Sequence, residues 1–287
     1  MSKPYEPEVL KKLQQYELEM LKDFIKICND NNITYFGLAG TGIGALRHGG
    51  FIPWDDDIDL GLLYEDYVRL LEVYKKDYSD KYQLVNASEF KTYPLMTTRI
   101  CLKGTVFIEE AFKTVDCPLG IFLDIFPFYN VPQDAKLHKK QAKKAWLLGK
   151  LLVLKHLPFP NVPFKGFKAK LAHCATAVCW LLVNVIYSHK RLYNKILKEC
   201  LRYQAQDTGK YEYFFDTVNG NSIYTKDDIF PIRNIPFENI SLDFPNKLED
   251  KLTALYGDFM QVPPPEKIKN HHPHALKFLD DDHILHN

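Results

Sequence analysis

Several features are missing from this sequence. Its six cysteines lie far apart with no C-x-x-C pair, so they form neither a zinc pattern nor a disulfide framework. Reduced thiols are expected, as suits a cytoplasm. No G-x-G-x-x-G opens a helix, which excludes the dinucleotide-binding fingerprint. The opening residues, Met1 to Glu6, form no apolar leader, so no secretory signal is expected. Internal repeats and low-complexity tracts are absent. The apolar run Leu171–Tyr187 holds His173 and Asn184 and falls short of the ~20 residues of a membrane span. A buried or membrane-lying helix is expected there.

Acid is missing locally. Between Asp134 and Glu199 there is none, against 14 Lys and Arg, while the whole chain carries a net charge of +1 and the remainder therefore −13. Such asymmetry points to an anionic surface as a partner. Segment 135–198 is expected to hold the protein at the cytoplasmic membrane face without spanning it, with a lysine stripe (Lys136, Lys139, Lys140, Lys143, Lys144, Lys150) set apart from Leu137, Trp146, Leu148, Leu151 and Leu152. No nucleic-acid module with interleaved aromatics accompanies these charges, so no nucleic-acid partner is expected.

What is present centres on Gly40–Asp59. A short apolar run, Tyr35 to Ala39, reads as a buried strand and leads into a glycine-rich turn at Gly40-Thr41. About two turns of helix end at Arg47-His48, where Gly49-Gly50 break it, and Pro53-Trp54 lead to Asp55, Asp56, Asp57 and Asp59. In a strand, period two puts Asp57 and Asp59 on one face and Ile58 and Leu60 on the other. Two carboxylates so placed repel each other, and a hard divalent cation, Mg²⁺ before others, removes that cost. The glycine turn offers N–H groups to a phosphate, and Arg47 offers a fork. Together these are the parts of a metal-assisted phosphoryl or nucleotidyl transferase. A calcium loop is excluded, because Leu60 stands where glycine is required and Asp66 where glutamate is.

The same run resembles the signature of the LicD family, the phosphocholine and polyol-phosphate transferases related to fukutin, within the nucleotidyltransferase-fold superfamily. Thr41 stands where the superfamily often has serine, and the gap before Asp57 is longer, both as in LicD proteins. The resemblance implies a third carboxylate on a later strand. Asp124 fits, in the apolar run Gly120 to Pro127, where a lone acid is costly without a metal or a partner. Tyr256 to Met260, Pro263 to Lys267 and His271-His272 resemble the family's closing block.

The resemblance implies an α+β fold, a nucleotidyltransferase-like mixed sheet flanked by helices with a basic helical insertion. The expected divisions are a catalytic core at 1–132, the basic and apolar helical segment at 133–206, and a part at 207–287 completing the same domain. Helices are expected at 8–31, 64–78, 133–157, 190–206 and 245–257, and strands at 83–87, 95–102, 105–112 and 120–127, with Lys103-Gly104 as a hairpin turn.

The implied reaction moves a phospho-alcohol, phosphocholine foremost, from a CDP-linked donor to a hydroxyl of a lipid-linked cell-surface glycan, releasing CMP. Asp57, Asp59 and Asp124 would hold Mg²⁺ or Mn²⁺, with Asp124 able to take the acceptor's proton. Gly40, Thr41, Arg47 and His48 would grip phosphate, and His271 or His272 would meet substrate. Trp54, Phe128 or Tyr129 would face a quaternary ammonium. Two other readings stay open: nucleotidyl transfer from an NTP, and a non-catalytic membrane-surface protein.

Overall fold

The computed structural model describes residues 5–157, 166–268 and 270–286. The first helix, α1 (Pro7–Asp30), starts with proline at its first turn, where no N–H is needed. It buries Leu10, Leu13, Leu21, Phe24, Ile27 and Cys28 along one stripe. Then come β1 (Phe36–Gly37), α2 (Ala39–His48), β2 (Asp59–Leu63), α3 (Tyr64–Asp77), β3 (Tyr82–Val85), β4 (Thr98–Leu102), β5 (Val106–Ile108) and β6 (Phe122–Asn130). Three helices follow, α4 (Ala135–His156), α5 (Phe167–Ile186) and α6 (His189–Cys200). The chain closes with β7 (Lys210–Tyr213), β8 (Ser222–Thr225), α7 (Lys226–Ile229), β9 (Arg233–Phe237), β10 (Ile240–Phe244), α8 (Leu248–Tyr256), β11 (Ala275–Lys277) and β12 (Leu285–His286).

The expected α+β class is observed. The main sheet runs β1-β2-β6-β4-β3, with β2 and β6 parallel and the other pairs antiparallel. Strand β6 is buried on both faces, which explains its unbroken apolar sequence. Pro127 is tolerated inside it because β4 ends opposite Ile125 and β7 begins only opposite Tyr129, so no ladder on that side requires its missing N–H. The C-terminal part enters the same architecture: β7 extends β6, and β11 pairs with β5.

That last pairing corrects one expectation. Gly104 does adopt a left-handed turn, φ 84°, but β4 and β5 are not a hairpin. Beyond the turn β5 departs to a second sheet, β12-β11-β5. Its partner lies far along the chain, beyond the reach of a local pattern.

Helix α4 corrects another. Asp134 caps it, accepting from the backbone N–H groups of Lys136 and Leu137. Its buried side is Ala142, Ala145, Leu148, Gly149 and Leu152, packed with Leu192, Ile196 and Phe214. Lys144 pairs with Glu199. Leu148, Leu151, Leu152 and Trp146 therefore serve the protein, Trp146 donating its indole N–H to the Asp216 carbonyl, while Leu137 is exposed. Helix α4 is not the interfacial helix its lysine stripe suggested. The loop expected at 157–166 lies almost wholly outside the described residues.

Candidate active site

The strand registry builds the site. Asp59 on β2 is the cross-strand partner of Asp124 on β6, and Asp124 is in turn the partner of Arg99 on β4. The Asp124 N–H donates to the Ile58 carbonyl at 3.0 Å, extending the β2–β6 ladder one step ahead of the strand toward Asp57. One ligand oxygen from each of Asp57, Asp59 and Asp124 falls within 4.8 Å of the others. This is the grouping expected from the sequence, with Asp57 just before the strand and Asp59 as its first residue.

Burial and mutual repulsion act together on these acids. Desolvation raises Asp59 well above the usual carboxylate range, and Asp57, Asp124 and Asp55 push it further. Asp57 is pushed up to about 6 by burial, although His271 and Arg99 pull it down. Burial also raises Asp124, against the pull of Arg99. A cluster of hard oxygens whose own charge is this poorly compensated is the chemistry that Mg²⁺ or Mn²⁺ fits.

Arg99 supplies the structure's own counter-charge. Its side chain is 3% exposed, donates to Asp124 at 3.2 Å and to Glu109 at 2.8 Å, and lies 3.8 Å over the Phe122 ring. Sequence reasoning missed it and Glu109. Arg99 sits in the segment read as a strand, and only the register of β4 on β6 reveals its partner.

Asp56 was also missed, and it plays a different part. It is fully buried and held by groups of three residues, Tyr5, His271 and His272. The Tyr5 hydroxyl donates to it at 2.6 Å, the backbone N–H of His271 at 2.9 and 3.0 Å, and that of His272 at 3.1 Å; His271 Nδ1 lies 3.2 Å away. These bonds outweigh desolvation and hold Asp56 below the usual carboxylate range. His271 thus has a definite place. Its Nδ1 also lies 3.7 Å from Asp57, and its Nε2 3.6 Å from Glu109. Burial alone would lower this imidazole, but Asp56, Asp57 and Glu109 raise it well above its ordinary value. His272 keeps φ at 29° and sets its ring 4.9 Å from Tyr5. Behind them Glu17 is fully buried, with no hydrogen-bond partner for either carboxyl oxygen among the described residues. Burial and the facing Asp56, Asp57 and Asp55 raise it well above the carboxylate range.

The glycine turn is built differently from expectation. The left-handed residue is Ala39, φ 42°, the first residue of α2, and Gly40 and Thr41 follow it inside the helix. Thr41 is buried and its hydroxyl accepts from the Asp59 N–H at 2.9 Å, so it fixes a site carboxylate. A Cβ on Gly40 would lie 2.7 Å from Asp55 Oδ2, so the Asp55 carboxylate, not open space, faces this turn. Arg47, His48 and Trp54 form a group of their own. The Arg47 guanidinium donates to the carbonyls of Phe259 and Gln261 at 2.7 and 3.2 Å and stands 5.7 Å from the Trp54 ring. The His48 ring meets Trp54 edge-on at 6.2 Å. Phe128 and Tyr129 are not available to a cation. Both are core, 1% and 2% exposed, Phe128 among Phe36, Tyr213 and Tyr224 and Tyr129 stacked on Phe214.

Comparison with known proteins agrees with this geometry. Residues 32–172, which include Asp57, Asp59 and Asp124, match the family described as LicD/FKTN/FKRP, nucleotidyltransferase domain. The chain is 26% identical over 292 aligned residues to the lipopolysaccharide cholinephosphotransferase LicD of Haemophilus influenzae, covering 92% of this chain and 96% of that protein. It is 41% identical over 71 residues to an uncharacterized protein of Rickettsia prowazekii, spanning 26% of that protein, and 34% identical over 137 residues to one of Rickettsia typhi, spanning 42% of it. An acidic cluster built on paired strands inside the matched region, and similarity running nearly end to end, identify residues 32–172 as a LicD-family nucleotidyltransferase domain.

Proposed function

We propose that this protein transfers phosphocholine from CDP-choline to a hydroxyl of a cell-surface glycan precursor, of the lipopolysaccharide, teichoic-acid or capsule class, and releases CMP. The observation that carries the reading is the Asp57–Asp59–Asp124 cluster in a chain similar over almost its whole length to a lipopolysaccharide cholinephosphotransferase. The acceptor oxygen forms a bond to the choline-bearing phosphorus, the bond from that phosphorus to the CMP oxygen breaks, and the acceptor proton passes to a carboxylate. We assign that proton to Asp124, whose basicity burial raises. Asp57 and Asp59 would hold Mg²⁺ or Mn²⁺ with it. When bound, the cation neutralises charge on the donor's two phosphates. Arg99 keeps Asp124 in place, the Asp56 clasp keeps His271 beside Asp57, and Thr41 fixes the backbone of Asp59.

The acceptor, on this reading, is carried by a lipid, and the protein works against the anionic inner face of the membrane. The 14 Lys and Arg of 135–198, a stretch with no acid of its own, support this. No helix among the described residues is long and apolar enough to cross a membrane.

The test is purified protein with Mg²⁺, a panel of CDP-alcohols and NTPs, and a glycan acceptor, with the released nucleotide identified. CMP from CDP-choline is the expected product. CMP only from another CDP-alcohol would reassign the transferred group. Pyrophosphate from an NTP would move the protein to nucleotidyl transfer, and no turnover of any donor would leave it a binding protein.

A further inference from the structure

We propose that the outward face of α5 is a membrane-docking surface that lies in the headgroup layer of an anionic bilayer. Val178, Leu181, Leu182, Val185 and Ile186 recur at helical spacing, and each is between 52 and 77% exposed. Cys174, Ala175 and Cys179 are exposed beside them. The outward face over this part of the helix is therefore almost wholly apolar, which soluble surfaces rarely tolerate without a partner.

The helix is nonetheless firmly seated. Val183 is buried against the α4–α6 layer, the Trp180 indole N–H donates to the Lys155 carbonyl at 3.1 Å, and Lys155 donates from its Nζ to Asn184 Oδ1 at 2.7 Å. The exposed face is consequently a feature of the folded protein.

Charge identifies the occupant. Helix α5 contains no acid, and none occurs from 135 to 198. At its C-terminal end Lys190, Arg191 and Lys195 are exposed, Lys195 donates to the Tyr187 hydroxyl at 2.7 Å, and the Arg191 guanidinium lies 5.9 Å from the Tyr187 ring. An apolar face ended by a basic and aromatic collar is the arrangement of a helix lying in a headgroup layer. A second copy of so basic a segment would repel it, whereas anionic lipid attracts it. The helix falls short of a span, so it docks in the plane. This deepens the reading of a lipid-linked acceptor, but its evidence and its test are independent of any transfer reaction.

The test is co-sedimentation of the full chain with phosphatidylglycerol-containing vesicles and with pure phosphatidylcholine vesicles over a salt series. Wild-type protein is expected to pellet with the anionic vesicles at low salt. The triple variant Leu181→Ser, Leu182→Ser, Val185→Ser should partition about tenfold more weakly or less, with unchanged circular dichroism and Tm because these side chains face solvent. Lys190→Gln with Arg191→Gln should flatten the salt dependence. Equal pelleting of wild type and triple variant would overturn the proposal, as would no binding at low salt. Retention through both high salt and alkaline wash would make α5 a span instead. A dimer that the triple variant dissolves, with no vesicle binding by either protein, would make the face a self-association surface.

Discussion

Asp59 and Asp124 are register partners on parallel strands, so the β2–β6 ladder itself sets the spacing of two like charges. Parallel pairing in the centre of a sheet is rigid, and neither residue relieves the repulsion by moving apart.

Removing one charge from this cluster should separate function from stability. Asp57→Asn is expected to lower turnover by about 100-fold or more, read as nucleotide release, while Tm stays level or rises because repulsion is relieved. Mg²⁺ or Mn²⁺ should raise the Tm of the wild type and lose that effect in Asp57→Asn. Wild-type turnover in the variant would remove Asp57 from the site.

Removing the counter-charge should do the opposite. Arg99→Ala takes away the guanidinium that Asp124 and Glu109 share, and a loss of about 3–5 kcal/mol is expected from breaking a buried pair on one side. Urea titration measures it. Adding Asp124→Asn should recover part of the loss, because the two substitutions share one interaction.

Gly44→Ala tests a close approach. In an unconstrained helix interior this change stabilises by about 1 kcal/mol. Here the new Cβ would meet the Gly50 carbonyl oxygen at 2.3 Å and the Ile52 nitrogen at 3.2 Å, both backbone atoms. A net loss of about 1–3 kcal/mol is expected from the forced shift, visible as a lower Tm. Unchanged or raised stability would show that α2 and the 50–52 turn yield easily.

Acid should destabilise the protein partly through His156. Burial, then His189 and Lys155, lower this imidazole to about 4. His189 donates its Nε2–H to the Ala87 carbonyl at 2.6 Å, which leaves its Nδ1 to face His156 Nε2 at 2.9 Å. Above the unfolded value of ~6.5 the group has no effect on the pH slope. As pH falls from there toward 4 the unfolded chain takes the proton first, and stability is lost, by about 1 kcal/mol at pH 5 once solvent screening of this part-exposed ring is allowed for. His156→Gln should show a shallower loss between pH 7.5 and 5 in urea titrations; an identical slope would mean that His156 titrates normally.

The parts of this protein legible in its sequence were those governed by local periodicity. Helix α1 follows from the spacing of Leu10, Leu13, Leu21 and Phe24, and the facing of Asp57 and Asp59 from a period of two. Asp124 was legible because an acid in an otherwise apolar strand is costly. Arg99, Glu109 and Asp56 were not, since each acquires its role from a partner on another strand or at the far end of the chain. Helix α4 misled for a compositional reason. Ala142, Ala145 and Gly149 make much of its buried face, and small residues weigh little in a hydrophobic pattern although they allow the closest packing. Thr41 was legible as part of the site, but its bond to Asp59 was not, because nothing in a sequence shows that a hydroxyl receives the N–H of a residue 18 positions on.

The clasp on Asp56 joins residues 215 positions apart. During synthesis the acids at 55–59 and 124 emerge and can pair β2 with β6 long before residues 271 and 272 exist outside the ribosome. Until then Asp56 has no N–H groups from the far end and Asp57 has no imidazole beside it. The site therefore matures in time as well as in space. A chain arrested anywhere between 173 and 270 would carry the whole matched region and an unfinished centre, so the centre waits for residues 271 and 272.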